Sequence, residues 1–191
     1  VSHVSTHVSL RRAVDLVRPE RILTVLKLTN GAVRQMGIDE PFIAVAGLNP
    51  HSSDGGLFGD EEMKYITPAI EKARAQGMKI TGPLPPDSIF LMASEGQFDA
   101  AIAMYHDQGH IALKMMGITQ GVNVTLGLPI IRTSVDHGTN FGKAGKGTAG
   151  PTSLIQAIKL ASLMCHNRRR LSTHGYADLS IEARGIRFNL Y

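Results

Sequence analysis

The chain has 191 residues, a formal net charge of +4, 43% hydrophobic residues and a single cysteine. That length and composition describe one sizeable globular core or two small ones, and the lone Cys165 excludes an internal disulfide framework and fits a reducing cytoplasm. No secretory signal pattern opens the chain, and no apolar run approaches the ~20 residues needed to span a bilayer, so no membrane partner is expected.

Residues 167–191 hold Arg168, Arg169, Arg170, Arg184 and Arg187 against Asp178 and Glu182, which leaves residues 1–166 close to neutral. Nucleic acid is therefore not an expected partner, because the body lacks a basic stripe interleaved with aromatics. A binder acting through the arginine-rich tail is the weaker alternative.

In chain order, Val1–Ser5 reads as the end of a strand, turning at Thr6-His7 into a helical pattern of Leu10, Ala13, Val14, Leu16 and Val17. Glu20 to Met36 repeats the pattern with Ile22, Val25, Leu26, Leu28 and Val33, and Gly37 stops it. The short apolar run from Pro41 to Gly47 predicts a buried strand. A loop over 48–59 leads to a helix over 60–76, with Gly77 in the usual C-terminal position. A strand over 78–81, the turn Gly82-Pro-Leu-Pro-Pro86 and a helix capped by Asp87 follow, then a strand from Ala100 to Met104 ending at a loop that holds His106. Val122–Thr125 and Ile130–Thr133 predict strands around Gly127-Leu-Pro129. A glycine-rich turn over 138–150 then gives way to a helix from Pro151 to about Met164. Strands alternating with helices predict an α/β domain over 1–164 with a largely parallel sheet and flanking helices, and a tail over 165–191 without clear periodicity.

His7, His51 and His106 each stand just past one of these strands, in Ser-Thr-His7, Asn49-Pro-His51 and Tyr105-His106-Asp107-Gln108-Gly109. Ligands of open α/β sheets gather beyond the carboxyl ends of the strands. A lone loop histidine is most simply a hydrogen-bonding residue; three so placed form a candidate site for one divalent metal, with Asp107 and Asn49 as neighbours able to orient the rings. His3, His110, His137, His166 and His174 read as structural. Lys114, Asn123 and Arg132 offer cations and an amide for a phosphate or carboxylate, and Arg132 follows the apolar run Leu128–Ile131, as though emerging from a nearly buried strand. Asp136-His137-Gly138-Thr139, leading to Gly145, is a candidate cofactor loop, although it is neither a P-loop nor a dinucleotide fingerprint. Gly55-Gly56-Leu57-Phe58-Gly59 reads as a mobile flap or as a helix approach.

Five motifs occur in one order: Gly47-Leu-Asn-Pro-His51, Gly82-Pro-Leu-Pro-Pro-Asp87, Met104-Tyr-His-Asp-Gln-Gly109, Val122-Asn-Val-Thr-Leu-Gly-Leu-Pro129 and Ile131-Arg-Thr-Ser-Val-Asp-His-Gly138. Together they resemble the 4-hydroxythreonine-4-phosphate dehydrogenase family of pyridoxal phosphate (vitamin B6) biosynthesis over residues 1–164. The resemblance implies an isocitrate/isopropylmalate-dehydrogenase-like fold and a cytoplasmic homodimer with its site at the interface. It also implies oxidation, with decarboxylation, of a phosphorylated hydroxy acid by NAD or NADP with a divalent metal (Zn, Mg, Mn or Co). His7, His51 and His106 fall on the metal-binding histidines. Lys114, Asn123 and Arg132 fall on substrate positions. Lys114 and Asp87 carry over as catalytic residues, and Asp136, His137, Gly138, Thr139 and Gly145 as the cofactor side.

The chain departs from the family in three ways. It begins at the first metal-histidine motif, so the family's N-terminal half is expected to be missing. Asn140 and Gly142 stand where the cofactor loop usually has an alanine and then an acidic residue, and the segment from Asn167 to Tyr191 matches nothing in the family. Asp54–Gly59 and Gly109-His110-Ile111 resemble the branch that oxidises D-threonate or D-erythronate 4-phosphate in sugar-acid catabolism. Ser134-Val135-Asp136 and Ala144-Gly145 resemble the vitamin B6 branch, toward which the sequence leans slightly. A catalytically inactive remnant that binds metal and dimerises is the other alternative.

Overall fold

The computed structural model describes residues 1–116, 121–139, 141–173 and 186–190, with backbone alone at 172–173 and 186–190. Asn140, His174, Asp178, Glu182 and Arg184, which entered the sequence reading, lie outside the described residues.

Strands β1 (Ser2–His3), β2 (Phe42–Ala46), β3 (Lys79–Leu84) and β4 (Ala100–Ala103) form a parallel sheet in the order β1-β4-β2-β3. The alternation of side chains along β2 and β4 builds two cores, because successive residues of a strand face opposite sides of the sheet. Ile43, Val45, Ala100 and Ile102 face helices α2 (Pro19–Gln35) and α3 (Thr67–Ala75), where they meet Ile22, Val25, Leu26 and Ile70. Ala44, Ala46, Ala101 and Ala103 turn the other way, toward Ile89 and Phe90 of α4 (Ile89–Ser94) and Ala112 of α5 (His106–Met116). Alanines on that face let α4 and α5 lie close to the sheet, near the strand ends that carry the candidate site.

α1 (Leu10–Asp15) is capped by Ser9, whose hydroxyl accepts the Arg12 N–H at 3.3 Å. A second sheet, β6 (Arg132–Val135), β5 (Val122–Leu126) and β7 (Ile186–Leu190), is antiparallel, with β5 central. Val122, Val124 and Leu126 join the larger core, and α6 (Thr152–Thr173) packs there through Ala157 and Met164. The expected α/β architecture therefore holds, its main sheet parallel and a smaller antiparallel one beside it.

Several boundaries differ from the sequence reading for identifiable reasons. Residues 82–84 continue β3 rather than forming a free turn, since β2 pairs with the strand as far as Leu84 across an irregularity after Ala44. Ser88, not Asp87, is the residue before α4, and no side chain caps that helix. Leu128 and Ile130 lie in an exposed turn, with Ile130 63% exposed, so the strand starts at Arg132 and not at Ile130. The helix over 60–76 splits into a π-helical turn, Glu62–Ile66, and α3. α6 runs past Met164 because Asn167, 7% exposed, donates its amide to Gln35 O at 3.0 Å and Arg170 pairs with Asp39 at 2.8 Å. Cys165 is exposed on that helix. No helix among the described residues is long and apolar enough to cross a membrane.

Candidate active site

His7 follows β1, His106 follows β4 and His51 follows β2, and these three strands are neighbours in the parallel sheet. The carboxyl edge of the sheet thus carries all three histidines on adjacent connections. Side chains stitch those connections together. Ser5 Oγ donates to Met104 O at 3.1 Å, Gln108 Oε1 accepts the Met104 N–H at 2.7 Å, and Gln108 Nε2 donates to Gly47 O at 2.8 Å. Gln108 therefore locks the start of α5 to the ends of both β4 and β2.

The rings of His7 and His106 lie 5.5 Å apart, and His106 Nδ1 is 2.7 Å from Asp107 Oδ1. That carboxylate fixes the ring and leaves Nε2 as the outward donor, the usual arrangement for a histidine that binds a metal. Imidazole donors at adjacent strand ends suit a Zn²⁺-like ion. His51 does not join this pair: its ring meets Phe58 edge-on at 6.1 Å, and no group of three His, Cys, Asp or Glu able to hold an ion is assembled among the described residues. The fit is thus two candidate ligands beside one another, with the third candidate on the neighbouring connection.

The turn that carries His51 is left-handed. His51, Ser52, Ser53 and Asp54 have φ of 51°, 58°, 66° and 44°. This conformation costs an L-residue about 1–2 kcal/mol because Cβ crowds the following carbonyl. Asn49 does not orient His51, as its sequence position suggested; its amide instead donates to Glu61 Oε2 at 2.7 Å and Glu62 Oε2 at 2.9 Å.

Two histidines read as structural stand against the site. His110 stacks on His106 at 4.0 Å with 7° between the planes, and its Nδ1 lies 3.1 Å from His3 Nε2. His3 is 1% exposed, and burial, with His110 beside it, pushes its pKa down to about 2. Burial also lowers His110, with the nearby His106 ring acting in the same direction. Gly109 between them has to be glycine, because a Cβ there would collide with the His3 ring. Sequence reading gave His3 and His110 a structural part without placing them beside His106, and assigned no role to Gln108 or Glu62. Gln108 and Gly109 did stand inside the Tyr-His-Asp-Gln-Gly motif.

The substrate and cofactor candidates converge in part. Lys114, two turns along α5 from His106, pairs with Asp136 Oδ2 at 3.0 Å, and the Asp136 side chain is 3% exposed. Asp136 is thus engaged with a substrate candidate rather than open to a cofactor. Asn123 and Thr125 share one face of β5, and Arg132, paired in register with Thr125, donates Nη1 to Thr125 Oγ1 at 2.8 Å. Arg132 itself is exposed and does not rise from a buried strand. His137, Gly138, Thr139 and Gly145 lie on an exposed loop, where His137 Nδ1 is 3.0 Å from Gly138 O. Asp87 is exposed and accepts from Ser88 Oγ at 3.0 Å. It lines a cavity of about 650 Å³ together with Leu48, Phe90, Tyr105, Asp107 and Gln108, so it shares that space with the residue holding His106.

With this geometry in place, likeness to known proteins becomes specific. The family described as pyridoxal phosphate biosynthetic protein PdxA matches residues 1–161. The chain belongs to this family. A D-threonate 4-phosphate dehydrogenase from Salmonella typhimurium is 53% identical, over 84% of this chain and 49% of that protein. A 4-hydroxythreonine-4-phosphate dehydrogenase from Desulforapulum autotrophicum is 51% identical, over 84% of this chain and 47% of that protein. The crystal structure of 4-hydroxythreonine-4-phosphate dehydrogenase from Klebsiella pneumoniae superposes with a TM-score of 0.76 at 49% identity, covering 85% of this chain and 49% of that one. The chain spans about half the length of the curated relatives it matches.

Proposed function

We propose that the full-length protein is a metal- and nicotinamide-dependent dehydrogenase that oxidises and decarboxylates a four-carbon hydroxy acid phosphorylated at its far end. It would work in the cytoplasm as a homodimer, with the site at the subunit interface. The observation that carries this reading is the placement of His7, His106 and His51 on three adjacent strand ends, with Lys114 further along the helix that His106 opens.

His7, His106 and His51 would hold the ion. When bound, the ion would acidify and orient the substrate hydroxyl, while NAD or NADP would take up the hydride. Lys114, whose Nζ Asp136 holds at 3.0 Å, would assist transfer of the hydroxyl proton, accepting it when the side chain is the neutral amine. Arg132 and Asn123 would grip the anionic ends of the substrate. Oxidation of the hydroxyl β to the carboxylate makes a β-keto acid, which releases CO₂. Asp87, in the cavity beside Asp107, is the second polar side chain available for proton traffic.

Between the two branches, D-threonate 4-phosphate is favoured over 4-hydroxy-L-threonine 4-phosphate as the substrate. Of the residues that distinguish the branches, His110 stacks on His106 and residues 54–59 complete the turn that carries His51. The test is the appearance of reduced nicotinamide with each phosphorylated acid, in the presence of Zn²⁺ or Mg²⁺. A higher kcat/KM for D-threonate 4-phosphate supports the reading, and a preference for the amino acid reverses the branch. Zinc binding without turnover on either acid would support an inactive remnant instead.

A further inference from the structure

Glu62 is 2% exposed, and its carboxylate is consumed entirely by the connection that leads to His51. Oε1 accepts the Leu48 and Asn49 N–H groups, both at 2.7 Å, and Oε2 accepts Asn49 Nδ2 at 2.9 Å. A buried carboxylate persists only where such bonds replace its water. The two backbone donors lie immediately beyond the end of β2, with only Pro50 between them and His51.

Glycines clear the space for this clamp. A Cβ at Gly47 would come within 2.6 Å of Ser52 Oγ and 3.0 Å of Glu62 Oε1, and one at Gly59 within 2.5 Å of Asn49 Nδ2. Glu62 itself begins a π-helical turn, a rare irregularity that occurs mostly at functional sites.

The turn beyond the clamp is a 3-10 stretch, Pro50–Gly56, built on left-handed residues. Its bonds include Ser52 N–H to Asn49 O at 3.1 Å, Gly56 N–H to Ser53 Oγ at 3.2 Å, Phe58 N–H to Ser53 O at 3.1 Å and Leu57 N–H to Asp54 O at 3.5 Å. Among the described residues, Ser52 Oγ is buried with no hydrogen-bond partner. A left-handed run of four non-glycine residues with an orphaned hydroxyl is strained despite its own bonds, and Glu62 grips its root.

We propose that Glu62 is a positioning residue: it holds the left-handed turn that presents His51, and so sets how tightly a divalent metal is bound. This inference rests on the reading of His51 as a metal ligand. Calorimetric titration of the full-length protein with Zn²⁺ alone tests it through the cycle of wild type, Glu62→Ala, His51→Ala and the double variant.

Glu62→Ala should weaken zinc binding 10- to 100-fold, the usual effect of removing a group that supports a ligand. Glu62→Gln, whose side-chain carbonyl still accepts both N–H groups but whose NH2 then meets the Asn49 amide donor, should lose less zinc affinity than Glu62→Ala. In the His51→Ala background, loss of Glu62 should cost nothing further, because the two act through one contact. Hydrogen exchange at the Leu48 and Asn49 amides should quicken in Glu62→Ala.

Additive losses in the cycle would show a general structural role and overturn the proposal. So would wild-type zinc affinity in Glu62→Ala when His51→Ala has lost it. If His51→Ala binds zinc as wild type does, the metal reading itself has failed, and the proposal falls with it. Should Glu62→Ala fail to fold, Glu62→Asp, one methylene shorter, takes its place in the same cycle; unchanged zinc affinity there overturns the proposal equally.

Discussion

Lys114 and Asp136 show how a residue chosen for substrate chemistry can also be structural. The lysine side chain is 38% exposed while its partner carboxylate is 3% exposed, so losing the lysine removes a hydrogen-bonded cation from beside a buried acid. Lys114→Met should therefore cost about 1–3 kcal/mol, toward the lower end because the lysine is partly screened by water. The shift of the urea midpoint reads this cost, and an unchanged midpoint would mean that Asp136 does not depend on the pair. His3 sets a pH dependence. Its folded pKa of about 2 lies below the ordinary histidine value of 6.5, so between these values the unfolded chain binds the extra proton. Stability should be complete above pH 6.5 and fall as the pH drops toward 2. The apolar variant His3→Leu should lose less stability than wild type between neutral and mildly acid pH, measured by urea unfolding at each pH. Neither role was legible in the sequence, since His3 meets His110 across 107 residues. Asp107 was legible, because a carboxylate next to a strand-end histidine needs no distant contact to reach it.

Elements formed by continuous apolar runs match their sequence prediction closely, and those held by polar or distant contacts do not. β2 and β4 are short, apolar and buried, so periodicity and flanking glycine suffice. α5 escaped notice because its first turn, His106-Asp-Gln-Gly-His110, has no apolar stripe and contains a glycine that signals a turn. That glycine serves packing instead, and it allows a test in which two effects compete. Gly109→Ala gains about 1 kcal/mol of helix propensity. It also forces a methyl into the His3 ring and to 3.0 Å from Ala103 Cβ, and overpacking of this kind costs about 1–3 kcal/mol. Net destabilisation is the expected result, read as a lower thermal midpoint; a rise would show that α5 can move away from β1. The late end of α6 has a polar cause. Asn167→Ala should cost about 1–2 kcal/mol by leaving the Gln35 carbonyl without its donor, again measured by urea unfolding.

For the molecule as a whole, the sequence placed three histidines after three strands but could not order those strands. The order β1-β4-β2 makes their connections adjacent, and it arises from the packing of α2 and α3 on one face and α4 and α5 on the other. The cofactor side was legible only as a motif. Asp136 turns inward to Lys114, while His137, Gly138, Thr139 and Gly145 remain on an exposed loop. The account therefore centres on a metal held at the carboxyl edge of the sheet and used in hydride chemistry on a phosphorylated hydroxy acid. Its most direct test follows reduction of NAD by the full-length protein on D-threonate 4-phosphate, before and after chelation and again with Zn²⁺ or Mg²⁺ restored, in wild type and in His106→Ala. The account predicts turnover that chelation abolishes and metal restores in wild type, and that metal does not restore in His106→Ala. Turnover that persists through chelation, or a fully active His106→Ala variant, would contradict it.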